Sequence, residues 1–321
     1  MTSLNKKLAV LTLVSFFLCA FSFLPFVRQK SAPKAFQSAL LNPSHREDVT
    51  EILLSYKDDN DTSSTPRGEN TKETHENAAI SLKKHAASIG KASSFWTASD
   101  GLTTVRADEK LVRNLLDNAI KLRKMYIISD NKKQWASLDS ASFVVQYRNN
   151  NIMYTKIDFF NTNSLTNRIV FTVEAQRNVY ETEDTLSQFL TTDIKYWAKP
   201  ELIQTISTPI SLIFQENGKN PVKITDFSPE FERISHDVFV LRHGAILLPT
   251  DSKSFGDSLS QASAATLTVM DEKGDSERIS FYLQKYGYRC EYSFSPDASD
   301  NLHFAFEISD WTYDRLKTIF Q

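Results

Sequence analysis

A chain of 321 residues with a net charge of −2 and 24% charged side chains has no field of either sign that would gather nucleic acid, so nucleic-acid binding has no electrostatic basis. Its two cysteines, Cys19 and Cys290, stand far apart, which argues against a disulfide-held scaffold and leaves packing to hold the body. The 22 Phe, 11 Tyr and 4 Trp favour pleated, half-buried surfaces and lean the chain towards a sheet-rich fold.

The first feature in chain order is residues 8–27 (LAVLTLVSFFLCAFSFLPFV), an uncharged run that follows Lys6 and Lys7. A helix of this length, at about 1.5 Å per residue, spans roughly 30 Å, the thickness of a bilayer's hydrocarbon core. The sequence therefore predicts a cytoplasmic tail at 1–7, a transmembrane signal anchor at 8–27 and a juxtamembrane linker at 28–45. Lys6 and Lys7 are matched by Arg28, Lys30 and Lys34, so flanking charge does not set the orientation. The very short basic tail is the layout of a signal anchor, which places the body on the extracytoplasmic or periplasmic side of the inner (cytoplasmic) membrane, single-pass. Two alternatives stay open: cleavage after Ser22, because Ala20-Phe21-Ser22 loosely fits a cleavage site, and lipidation at Cys19.

Beyond the anchor the predicted class is α+β, with a first unit at 46–206 and a second at 207–321. Residues 49–56 read as a strand, 57–77 as a polar mobile loop, and 79–83 and 94–97 as further strands. Asp108 is a credible N-cap for an amphipathic helix whose stripe is Leu111, Val112, Leu115, Leu116, Ala119, Ile120 and Leu122, with Lys121, Arg123 and Lys124 complementing its dipole. Strands follow at 125–128, 143–147, 152–159 and 168–173, divided by Asn-rich breaks, and then short helices around Leu186 and Trp197. Strands at 266–270, 278–283, 288–294 and 303–308 precede a terminal helix opened by Ser309. Trp197 stands five residues before Leu202, and Trp311 five before Leu316, which suggests an internal duplication.

Chemistry is sparse. His45, His75, His85, His236, His243 and His303 show no metal-ligand spacing, Gly218-Lys219 lacks the frame of a phosphate loop, and Cys290 lies mid-strand, where packing is the default role. The predicted catalytic, cofactor-binding and metal residues are therefore none, and no cofactor is expected. Val238-Phe239-Val240-Leu241 reads as a strand, and a strand leading into Arg242-His243-Gly244 resembles the phosphate pocket of histidine phosphatases, but that motif opens its domain, whereas Gly244 lies late in this chain. Carboxylate pairs such as Asp58-Asp59 and Glu181-Glu183 read as solvated charge.

A basic-flanked anchor, Phe95-Trp96, Arg106-Ala107-Asp108 ahead of the helix, Asp193 to Trp197 and Ser309 to Tyr313 occur together. In this combination the chain resembles the bacterial domain of unknown function 4340 family over most of 49–319. The long polar insertion after Tyr56 and the Arg-His-Gly segment depart from that pattern. The resemblance implies a membrane-anchored, non-enzymatic accessory of an ABC-type transporter of the gliding-motility kind, with a permease and an ATPase-containing complex as partners, and supplies no catalytic residues. The alternatives are a stand-alone anchored ligand-binding or envelope-structural module, with its site between the two units, and an envelope hydrolase.

Overall fold

A computed structural model describes residues 35–57, 79–85, 94–133, 135, 141–160, 167–247, 262–295 and 303–321. Its described strands form two sheets, antiparallel throughout. The first holds β1 (Ala35–Ser38), β2 (Glu51–Tyr56), β3 (Ala79–His85), β4 (Phe95–Ser99), β5 (Thr104–Arg106), β6 (Arg123–Ser129), β7 (Ala141–Asn149), β8 (Ile152–Phe160), β9 (Arg168–Val173) and β10 (Val179–Glu183). Their spatial order is β1-β6-β10-β9-β8-β7-β2-β3-β4-β5. The second holds β11 (Pro209–Glu216), β12 (Val222–Thr225), β13 (Ile246–Leu247), β14 (Ala265–Asp271), β15 (Ser276–Leu283), β16 (Tyr288–Ser295) and β17 (His303–Ile308), in the order β12-β11-β14-β15-β16-β17-β13. Among the described residues four α-helices accompany them: α1 (Glu109–Ile120), α2 (Ile194–Trp197), α3 (Phe231–Phe239) and α4 (Asp310–Ile319).

Period-two patterning builds the first sheet. Ile52 and Leu54 of β2 stand opposite Leu82 and Ile80 on one side and Tyr147 and Val145 on the other, so one face is apolar across three strands. The same face continues through Phe159, Phe171 and Tyr180, whose rings touch in sequence. Helix α1 buries Val112, Leu115, Leu116 and Ala119, each Val or Leu contributing about 1.5–3 kcal/mol as an upper estimate. Asp108 caps its start by accepting from the Lys110 and Leu111 N–H groups. At its other end Arg123 donates to the Asn118 carbonyl, and the Leu40 and Leu41 N–H groups both reach Ala119 O.

In the second sheet Leu267, Ile279, Tyr292 and Phe304 form one cross-strand row, and Ala265, Phe281, Cys290, Phe306 and Ile246 the next. Tyr313 of α4 covers this face, with ring centroids 5.6 Å from Phe281 and 3.8 Å from Tyr288. Ser309 caps α4 through Thr312 N (3.2 Å). The buried apolar residues of both sheets join in one contiguous core.

Several expectations are corrected. The fold is mostly antiparallel β in two sheets rather than α+β, because among the described residues the helices are few beside seventeen strands. Among the described residues no helix is long and apolar enough to cross a membrane; the predicted anchor at 8–27, with Cys19 and Ser22, lies outside the described residues, as does nearly all of the predicted loop at 57–77. The internal duplication fails on three counts. The sheets have ten and seven strands, their strand orders differ, and Trp197 is fully buried whereas Trp311 is 66% exposed. Leu122 falls beyond the end of α1 and is exposed, and Arg123 and Lys124 belong to β6. Residues 238 and 239 close helix α3 instead of forming a strand: Phe231, Ile234 and Val238 repeat at helical spacing and bury one stripe.

Candidate functional site at the junction of the two sheets

Residues 197–206 connect the sheets and are hydrogen-bonded to both. On the first side Asp108 N donates to Trp197 O (2.8 Å) and Lys199 N to Arg106 O (2.8 Å), which extends the β5 edge by a short antiparallel bridge. On the second side Leu202 N reaches Leu241 O (2.9 Å) and His243 N reaches Pro200 O (3.0 Å), and this 241–244 segment is in turn tied to β17 by Gly244 N to Glu307 O (2.7 Å). A connector with its backbone groups satisfied in this way is part of the fold.

Glu277 is the centre of this seam. It lies on β15 in phase with Ile279 and Phe281, so the strand's alternation turns its carboxylate into the core, where it is fully buried. Its carboxylate accepts the backbone N–H groups of Gln204 (2.9 Å to Oε2), Thr205 and Ile206. Burial nevertheless pushes the carboxyl above its ordinary range, against the pull of those donors and of Lys199. Lys199 Nζ donates to Ile203 O (2.8 Å) and Gln204 O (2.9 Å), and burial lowers its pKa. Tyr292, whose hydroxyl is pushed well up by burial, shares a hydrogen bond of 3.0 Å with Thr205 Oγ1.

Arg106 extends the network outwards. It is buried, its guanidinium lies 4.0 Å from the Phe95 ring centroid, and Nη2 donates to Glu109 Oε1 (2.7 Å). Its Nε and Nη1 have no hydrogen-bond partner among the described residues, and desolvation lowers its pKa. Glu109 also lines a cleft of about 440 Å³ whose wall includes Trp96, Lys84 and Arg113.

His243 of the Arg-His-Gly motif is structural here. Its Nε2 lies 2.7 Å from Lys199 O and its Nδ1 2.9 Å from Gly244 O, while the ring packs on Phe306. Each nitrogen faces a backbone carbonyl, to one of which the neutral ring donates, and burial lowers the imidazole pKa. A Cβ on Gly244 would stand 3.2 Å from Glu307 O, so close strand approach accounts for the glycine. Cys290 is fully buried and its thiol is pushed up by desolvation, away from nucleophilic use. Glu181 pairs with Arg168 (2.7 Å) at the sheet surface, whereas Asp58 and Asp59 lie outside the described residues. Among the described residues no group of three or more His, Cys, Asp or Glu is placed to hold a metal ion.

Sequence reasoning singled out Asp108, Trp197 and His243, and the structure brings all three to the connector. It missed Glu277, Lys199 and Tyr292, and took Arg106 only as part of the Arg106-Ala107-Asp108 motif ahead of the helix. For Glu277 a signal existed, because a carboxylate sharing parity with Ile279 and Phe281 is predicted to point inwards. The others became visible only when two distant segments met. No family model, curated protein or solved structure matches the chain.

Proposed function

We propose that the chain is a non-enzymatic accessory protein of a membrane machine of the ABC-transporter kind, held at the extracytoplasmic side of the membrane and acting through its two-sheet body as a rigid docking element. The observation that carries this reading is a set of large apolar side chains exposed at one end of the second sheet. Leu283, Tyr286 and Trp311 are all exposed there, and Gly287 is packed against Ile308 and Ser309, which brings the β15–β16 turn beside the start of α4. Lys285 lies over the Tyr286 ring and Arg315 over the Trp311 ring, an arrangement rich in the residue types that dominate protein interfaces.

The uncharged run at 8–27 supports the location. Confinement to a membrane raises the effective concentration of a partner already there, so a modest patch suffices for assembly. The likeness to membrane-anchored transporter accessories in the sequence adds the partner class. The test is purification of the full chain from membranes in mild detergent, with co-purifying proteins identified by mass spectrometry. A permease and an ATPase subunit are expected with the parent chain and are lost when Tyr286 and Trp311 are both changed to Ala. Repeated recovery as a lone monomer contradicts the reading. The cleft beside Glu109 favours a second reading, a ligand-binding module.

A further inference from the structure

We propose that the cleft between helix α1 and the β3–β4 end of the first sheet binds a small organic phosphate, with Lys84 and Arg113 holding the phosphoryl oxygens. The site is independent of the accessory role, since it lies on the first sheet and needs no partner protein.

Charge placement carries the inference. Three carboxylates lie at or beside the cleft, and each is already engaged: Glu47 and Asp117 by Arg46, and Glu109 by Arg106 (2.7 Å). Against them stand four cations, of which Lys84 and Arg113 form no ion pair among the described residues. Lys84 Nζ makes only a long contact of 3.5 Å to the Glu47 carbonyl, and Arg113 projects from the exposed side of α1. Two unengaged cations on a concave wall, one from a strand and one from a helix, are the chemistry that recognises an oxyanion.

Geometry supplies the rest of the ligand. Lys84 and Trp96 are cross-strand partners in the β3–β4 register, so their side chains share one face, and Leu116 of α1 lies across from them in the same cleft. The wall therefore adds the exposed edges of Trp96 and Leu116, both otherwise buried, next to the cations. The volume, about 440 Å³, suits a phosphorylated ring of modest size and falls in the range of small-molecule sites. Ser94 adds a hydroxyl at the rim.

The experiment is isothermal titration of the purified full chain in detergent with phenyl phosphate and, separately, with inorganic phosphate. Phenyl phosphate is expected to bind, to bind more tightly than inorganic phosphate through Trp96 and Leu116, and to weaken as sodium chloride is raised. Lys84→Ala and Arg113→Ala are each expected to weaken it about tenfold, while Lys219→Ala at the distant β11–β12 turn leaves it unchanged. Near-ultraviolet circular dichroism checks that each variant is folded, and the salt dependence of the parent chain stands as a second reading that needs no variant. Absence of heat with both anions, equal affinity for the two, binding insensitive to salt, or binding that survives the Lys84→Ala/Arg113→Ala double change overturns the proposal.

Discussion

The backbone N–H of Gln204 donates to Glu277 Oε2 across 2.9 Å, tying the connector between the sheets to a carboxylate in the core of the second. Thr205 and Ile206 donate to the same carboxylate, so one side chain satisfies three consecutive amides that would otherwise be buried without partners. Glu277→Ala strands all three. At roughly 1–3 kcal/mol per unsatisfied buried donor, the loss expected in urea unfolding exceeds about 3 kcal/mol. Glu277→Gln keeps one acceptor oxygen and is expected to lose less, about 1–3 kcal/mol. An alanine variant as stable as the parent contradicts this role.

The same residue sets a pH dependence. Burial holds the folded-state carboxyl above its ordinary value of 4.5, so between that value and the raised one the folded chain binds more protons than the unfolded chain. The contribution is full below about pH 4.5 and is lost as pH rises through the folded-state value. The stability of the parent minus that of Glu277→Gln is therefore expected to fall as pH is raised from 4.5. A difference that grows with pH contradicts the assignment.

Trp197 and Trp311 occupy similar places in the sequence and opposite places in the structure. Trp197 is fully buried, its indole N–H donates to Thr191 O (3.2 Å) and its ring packs against Phe189 and Tyr196. Trp197→Ala is expected to cost about 3–5 kcal/mol, whereas Trp311→Ala stays within about 0.5 kcal/mol because only an exposed face is lost. Chemical denaturation of the two variants side by side checks the contrast.

That contrast also marks how far the sequence could be read. Strands with alternating apolar residues, such as β15 and β16, and the Asp108-capped helix α1 were legible because each carries its own period and punctuation. Helix α3 was misread because Val238, Phe239, Val240 and Leu241 are continuously apolar, and a short run of that kind does not separate strand from helix. Strand β5, only three residues long, offers too little pattern to recognise, yet its Arg106 joins the junction. The seam itself was illegible for a different reason. Its contacts join Gln204 to Glu277 and Lys199 to His243 across long stretches of chain, and local patterning does not report such pairings.

Gly287 and Gly274 both sit at positive φ, +83° and +85°, but only one is crowded. A Cβ at 287 would overlap Ile308 O, whereas nothing lies within 4 Å of one at 274. Gly274→Ala is expected to cost about 1–2 kcal/mol from backbone strain alone. Gly287→Ala is expected to cost distinctly more and to disturb the start of α4, read by thermal melts and by the fluorescence of Trp311.

Whether the two sheets behave as one body, as a rigid docking element requires, is tested most directly by differential scanning calorimetry of the chain. The seam through Glu277 predicts a single transition in which the calorimetric and van't Hoff enthalpies agree. Two resolved transitions, one for each sheet, would contradict it.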